Sequence, residues 1–249
     1  NNVDLNRNFC DWAADAPKNY MYRASHDLLV SKPGLWKLVK LLWFRYRHGD
    51  DGIWTAISRG QYEYPDGLFY GGDQIQPEYR IVQKIYDDVM ADEGAKSLLS
   101  VGLHTGLGDY KIPAILVSHP TGHANVEKFT EIFAPDIEIT PDEKGAVNAA
   151  ELSGDLVDWL EARYANRHIP ILTADLEIGT GTSWISPVLK RMDQGDAVWD
   201  VVHRGAVSAK TKHHLSESWA PRDKKWRQCS LWVADVFAEK LHKYMEKNL

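Results

Sequence analysis

Cysteine is scarce in this chain. Cys10 and Cys229 are the only two in 249 residues, so at most one disulfide can form, and that is too little to indicate an oxidising compartment. A basic excess is also lacking. The net charge is -6 and the isoelectric point about 5.9, which excludes a nucleic-acid backbone as the main partner, since that would need a basic face. No apolar run reaches the length of a membrane span, and no signal peptide is visible. The second absence excludes little, because the chain opens Asn1-Asn2-Val3 without an initiator Met. Internal repeats and low-complexity tracts are missing too, so one domain over residues 1–249 is expected. Cytoplasm is the default location, with neither nucleic acid nor membrane among the expected partners.

What is present is the composition of a globular enzyme-sized unit, with 44% hydrophobic and 26% charged residues. Ten Trp and eleven Tyr are more than one core needs, and these rings must be shared with a cleft or a partner surface. The pattern alternates helices and strands. Over residues 33–48 the positions Leu35, Leu38, Val39, Leu42, Trp43 and Tyr46 recur at helical spacing; a basic amphipathic helix lying on a membrane fits this pattern, and a core helix is the commoner solution. Residues 77–90 form a second helix, 150–164 a third and 223–247 a last one, with Asp223 as its N-cap. Residues 97–103, 115–117 and 169–176 are apolar enough for buried strands, and residues 60–72 form a long ordered loop. The expected fold is α/β, a mixed and largely buried sheet flanked by helices.

Three segments place polar residues where open α/β sheets build their clefts, outside strand ends. In Asp4-Leu5-Asn6-Arg7-Asn8-Phe9, an amide and a guanidinium fork side by side can grip one carboxylate. His104 ends an apolar strand and is followed by glycine-rich backbone, a rigid position for a metal ligand. Glu177 sits at the mouth of residues 169–176, where a half-buried carboxylate is suited to general base work. Taken singly, each has a bland alternative: a solvated loop arginine, a hydrogen-bonded histidine, a capping or salt-bridged glutamate.

In order along the chain, these segments resemble the zinc carboxypeptidase superfamily, and most closely its bacterial branch known as domain of unknown function 2817. The resemblance rests on Val3-Asp4-Leu5-Asn6-Arg7-Asn8-Phe9, Gly60-Gln61-Tyr62 with Gly67-Leu68-Phe69-Tyr70-Gly71-Gly72, His104-Thr105-Gly106-Leu107-Gly108 and Leu176-Glu177-Ile178-Gly179-Thr180. It extends to Trp219-Ala220-Pro221 and Trp226-Arg227. It implies a zinc-dependent hydrolase cleaving an amide bond next to a free carboxylate in a peptide or acyl-amino-acid substrate. Asn6 and Arg7 match the carboxylate clamp, His104 the third Zn2+ ligand and Glu177 the general base.

The family's His-x-x-Glu motif, which supplies two zinc ligands upstream of the Asn-Arg pair, has no match here. The chain is therefore expected to be the larger, C-terminal part of such a domain, with zinc held weakly or not at all and no hydrolase activity of its own. His119 and His123 flank Pro120-Thr121-Gly122, which makes a turn and not a helical ligand pair, and His213 and His214 point apart on one helix. Tyr164, the nearest candidate for a catalytic tyrosine, belongs to a helix face. Two other readings follow from the same residues: an N-acyl-amino-acid amidohydrolase of the aspartoacylase type, and a carboxylate-binding protein that has lost the metal.

Overall fold

Apolar runs bounded by turn residues become strands: β1 (Leu98–Thr105), β2 (Pro113–Val117), β3 (Glu138–Pro141) and β4 (Ile171–Ile178). A computed structural model describes residues 2–14, 16–32, 34–142, 154–181 and 186–248. The strand order is β1-β4-β2-β3, with β1 parallel to β4, β4 antiparallel to β2 and β2 parallel to β3. Around this sheet run α1 (Tyr20–Leu29), α2 (Leu35–Ser58), α3 (Pro77–Met90), α4 (Ala124–Phe133), α5 (Leu156–Tyr164), α6 (Ser186–Arg204), α7 (Ala209–Trp219) and α8 (Lys224–Asn248). The fold is the expected α/β class, a mixed sheet flanked by helices.

The period-2 alternation of a strand gives the sheet two unlike faces. Leu172, Ala174 and Leu176 of β4, with Ile115 and Val117 of β2, pack against Phe129 and Phe133 of α4 and Val233 and Phe237 of α8. Phe133 and Phe237 stack at 4.9 Å between ring centroids. Each fully buried Leu, Ile, Val or Phe among them contributes about 1.5–3 kcal/mol by leaving water. The opposite face carries Ser100, Gly102 and His104 of β1 beside Thr173, Asp175 and Glu177 of β4. Helix α5 covers it, joined by α3, whose Tyr86 hydroxyl bonds the Ser100 hydroxyl at 2.7 Å.

A helical layer of α1, α2 and α6 forms a separate apolar cluster around Tyr22, Leu29, Leu41 and Phe44. Within it Lys37 is buried and reaches Asp196 and the Met192 carbonyl. Burial lowers the Lys37 pKa while Asp196 holds it up, the balance expected of an ion pair taken out of water.

Several elements depart from the pattern read in the sequence. Helix α3 matches its expected span, whereas α5 begins at Leu156, and residues 150–153 of the expected helix lie outside the described residues. Helix α2 continues to Ser58, past a break at Gly49 (φ 69°). Its expected core positions, Leu35, Leu38, Val39, Leu42, Trp43 and Tyr46, all face solvent. The helix packs through Lys37, Leu41 and Phe44 instead. Periodicity finds an apolar stripe but does not say what covers it.

Candidate functional site

The segment from Asp4 to Asn8 becomes a site element because its polar side chains close it on itself. The Asp4 carboxylate accepts from the Asn6 N–H (3.1 Å), and Leu5–Arg7 forms one 3-10 turn. Residues 60–72 are its platform. The Asp4 N–H donates to the Tyr70 carbonyl (2.8 Å) and the Tyr62 hydroxyl to the Arg7 carbonyl (2.7 Å). Buried Asn8 donates to the carbonyls of Gly71 (2.7 Å) and Gln74 (3.1 Å) and accepts from the Gln76 N–H (3.0 Å). Gln61, also buried, knots the loop itself through the carbonyls of Tyr64 (2.8 Å) and Leu68 (3.0 Å).

On this platform Asn6 and Arg7 both turn to Asp155, the N-cap of α5. The Asn6 amide donates to Asp155 Oδ2 (3.2 Å), and an Arg7 guanidinium nitrogen lies 3.6 Å from the same oxygen. Asp155 is buried and caps the helix through the Val157 N–H (2.7 Å). The carboxylate that the Asn-Arg pair grips in this structure is therefore the protein's own.

His104 and Glu177 face each other as register partners where β1 and β4 end. His104 Nε2 lies 3.3 Å from Asp175 Oδ1, and Glu177, itself buried, accepts from the Leu107 N–H (3.3 Å). Gly102 makes the His104–Asp175 contact possible: a Cβ there would stand 2.2 Å from Asp175 Oδ1 and 2.9 Å from His104 Nε2. The Asp175 carboxylate raises the His104 pKa against the opposing effect of burial, with Glu177 and Asp155 adding to the field. Asp155 in turn is pushed up by burial first, then by Asp175, with Arg7 and His104 opposing. Arg7, Asp155, His104, Asp175 and Glu177 thus share one electrostatic neighbourhood on the polar face of the sheet.

The two strand-end loops are stitched to the C-terminal helices by residues that sequence reading gave no role. Lys190 of α6 is buried, and its ammonium donates to the Gly106 carbonyl and the Thr180 hydroxyl. Thr105 donates to the Trp219 carbonyl (2.6 Å) and Thr180 to that of Ser218 (2.7 Å), while the Trp226 indole donates to the Gly179 carbonyl (3.0 Å). Trp219 and Trp226 fall in segments that carried the resemblance. Lys190 offered no signal, because a lone lysine on a helix reads as solvated. A cavity of about 500 Å³ lies between the Asp4 segment, Leu68, Phe69, Val198, Leu215 and Trp219.

His119 and His123 gather around Glu161 of α5. They do sit on a turn, with the His123 N–H donating to the Pro120 carbonyl (3.1 Å). Their rings stack at 3.7 Å, and His119 pairs with Glu161 at 2.9 Å. Among the described residues no group of three His, Cys, Asp or Glu side chains is arranged to hold a metal ion. Tyr164 is buried in a cluster with Met90, Leu98 and Leu160, and its hydroxyl donates to Asp87 of α3 (2.7 Å).

The family described as protein of unknown function (DUF2817) has a model that matches residues 1–233. The chain belongs to this family. No curated protein and no solved structure matches the chain. The match spans every segment that makes up the site, from Asn6 and Arg7 through His104 and Glu177 to Trp226.

Proposed function

We propose that this chain carries the carboxylate-binding and proton-handling half of a carboxypeptidase-like site, one that cleaves an amide bond beside a free carboxylate. The observation supporting this is the meeting of Asn6 and Arg7 with Asp155 on one side and of His104 with Asp175 and Glu177 on the other, within a single electrostatic neighbourhood. In this reading Arg7 and Asn6 exchange Asp155 for the substrate carboxylate, which fixes the substrate end and orients one amide bond. Glu177, at the strand mouth, takes a proton from the attacking water and returns it to the leaving amine. The Leu107 N–H holds its carboxylate in place.

A zinc ion is what the resemblance adds, and the described residues do not fit one. A catalytic zinc normally has three protein ligands, whereas His104 is alone and its Nε2 is already directed at Asp175. The 249-residue chain is therefore expected to show no turnover. The same shortage of donors favours a second reading, a protein that binds carboxylates without cleaving them.

Calorimetric titration with an N-acetyl amino acid and its carboxamide tests the clamp. The acid is expected to bind at least about tenfold more tightly, the size of one charge-assisted hydrogen bond, and Arg7→Gln should abolish the preference. Equal affinity for acid and amide would sink the clamp. For hydrolysis, a longer form that supplies His-x-x-Glu upstream should lose turnover and keep its zinc on Glu177→Gln. Full activity of that variant would remove Glu177 from the reaction, and a longer form that binds acids without turning them over would establish the binding reading.

A further inference from the structure

The first stretch of α2 turns an apolar stripe to solvent. Trp36 is 78% exposed, Leu35 76% and Tyr46 87%, and Leu42 and Trp43 lie between them at more than half exposure. Over about 14 residues this makes a ridge roughly 20 Å long. An apolar surface of this extent is not left to water on a chain that has no use for it.

Charge says what it meets. Between Asp27 and Asp50 the sequence has no acidic residue, although the chain as a whole is negative. Lys32, Lys40 and Arg47 are exposed beside the stripe and Arg45 is half-exposed. Lys37 is the exception, turned inward to Asp196. The Arg47 guanidinium lies 5.6 Å from the Trp43 ring, so charge and aromatic surface are interleaved. A second copy of the chain would bring two such basic ridges together and repel. Tryptophan and tyrosine with flanking lysine and arginine suit the boundary between lipid headgroups and acyl chains, where a ring buries its body and keeps its polar tip wet.

We infer that α2 is a peripheral membrane anchor, laying Trp36, Leu42, Trp43 and Tyr46 into the headgroup region of an anionic bilayer while its basic residues meet the lipid phosphates. Among the described residues no helix is long and apolar enough to cross a membrane, and the anchor lies on the surface. It is independent of the hydrolase reading.

Co-sedimentation of the 249-residue chain with vesicles decides the matter. Binding is expected to vesicles of phosphatidylcholine mixed with phosphatidylglycerol, and not to phosphatidylcholine alone. Trp36→Ser with Trp43→Ser should abolish it, and Lys32→Gln, Lys40→Gln and Arg47→Gln should weaken it about fivefold for each charge removed. These side chains are exposed, so the variants should melt like the parent. Failure of the parent to bind anionic vesicles at low salt overturns the inference and leaves the ridge to a protein partner. Unchanged binding by the tryptophan variant also overturns it, because another surface would then be responsible. So does a parent that self-associates in light scattering while the tryptophan variant stays monomeric.

Discussion

Asp155 holds Asn6 and Arg7 in the structure, and that makes it the residue against which any bound carboxylate competes. Burial and Asp175 both disfavour its charged form, so its grip on Arg7 is weaker than the contact suggests. Asp155→Asn keeps a helix-capping oxygen and removes the competing charge. It should raise the affinity for N-acetyl amino acids about fivefold or more, since a charge-assisted partner is then free to change hands. Calorimetry would measure this, and unchanged affinity would show that Arg7 does not meet the ligand. Asn6, Arg7, His104 and Glu177 stood out in the sequence as candidates, because they sit next to turns and strand ends and fall in the motifs that carry the resemblance. Asp155 and Asp175 were not, because a capping aspartate and an aspartate inside a strand look ordinary until the partners that crowd them are known.

At the scale of elements, α8 shows how local chemistry can be read directly. Asp223 was expected to cap this helix, and its Oδ2 accepts from the Trp226 N–H (3.0 Å). The same oxygen also accepts from the Tyr110 hydroxyl (2.6 Å), a contact 113 residues away in the chain. Asp223→Ala removes both the cap and the tyrosine contact and should therefore destabilise the chain more than Tyr110→Phe does, as measured by denaturant unfolding. Helix α3 and strands β1, β2 and β4 were likewise legible, because their apolar runs are bounded by turn residues. Helix α2 was legible as a helix that packs into a core, but it does so through Leu41 and Phe44 and not through the stripe expected to be buried. Its buried face is built around a lysine, Lys37, whose partner Asp196 lies 159 residues away.

For the whole molecule, the polar face of the sheet stores acidic charge. Asp158 of α5 has its Oδ2 buried without a hydrogen-bond partner. Burial, followed by Asp155, Glu161 and Asp175, pushes its carboxyl from 3.8 up to about 7. Between those values the folded chain holds a proton that the unfolded chain has released, so the stability from this group falls as pH rises through the window. Asp158→Asn should leave stability nearly unchanged below about pH 4 and raise it by on the order of 1 kcal/mol above about pH 7. Thermal melts of variant and parent across that range would check it, and a pH-independent difference would contradict the assignment.

By itself the sequence determined the α/β class, strands β1, β2 and β4, the Asp223 cap of α8 and the candidate site residues. These follow from short-range rules: period, turn propensity, and the hydrogen bonds that a residue can offer its neighbours. Only the tertiary structure decided that Arg7 faces Asp155, that Lys190 fastens the loops behind His104 and Glu177, and that the apolar ridge of α2 meets solvent. Each of those depends on which surfaces distant segments cover, and burial of that kind is set by the packing of the whole chain.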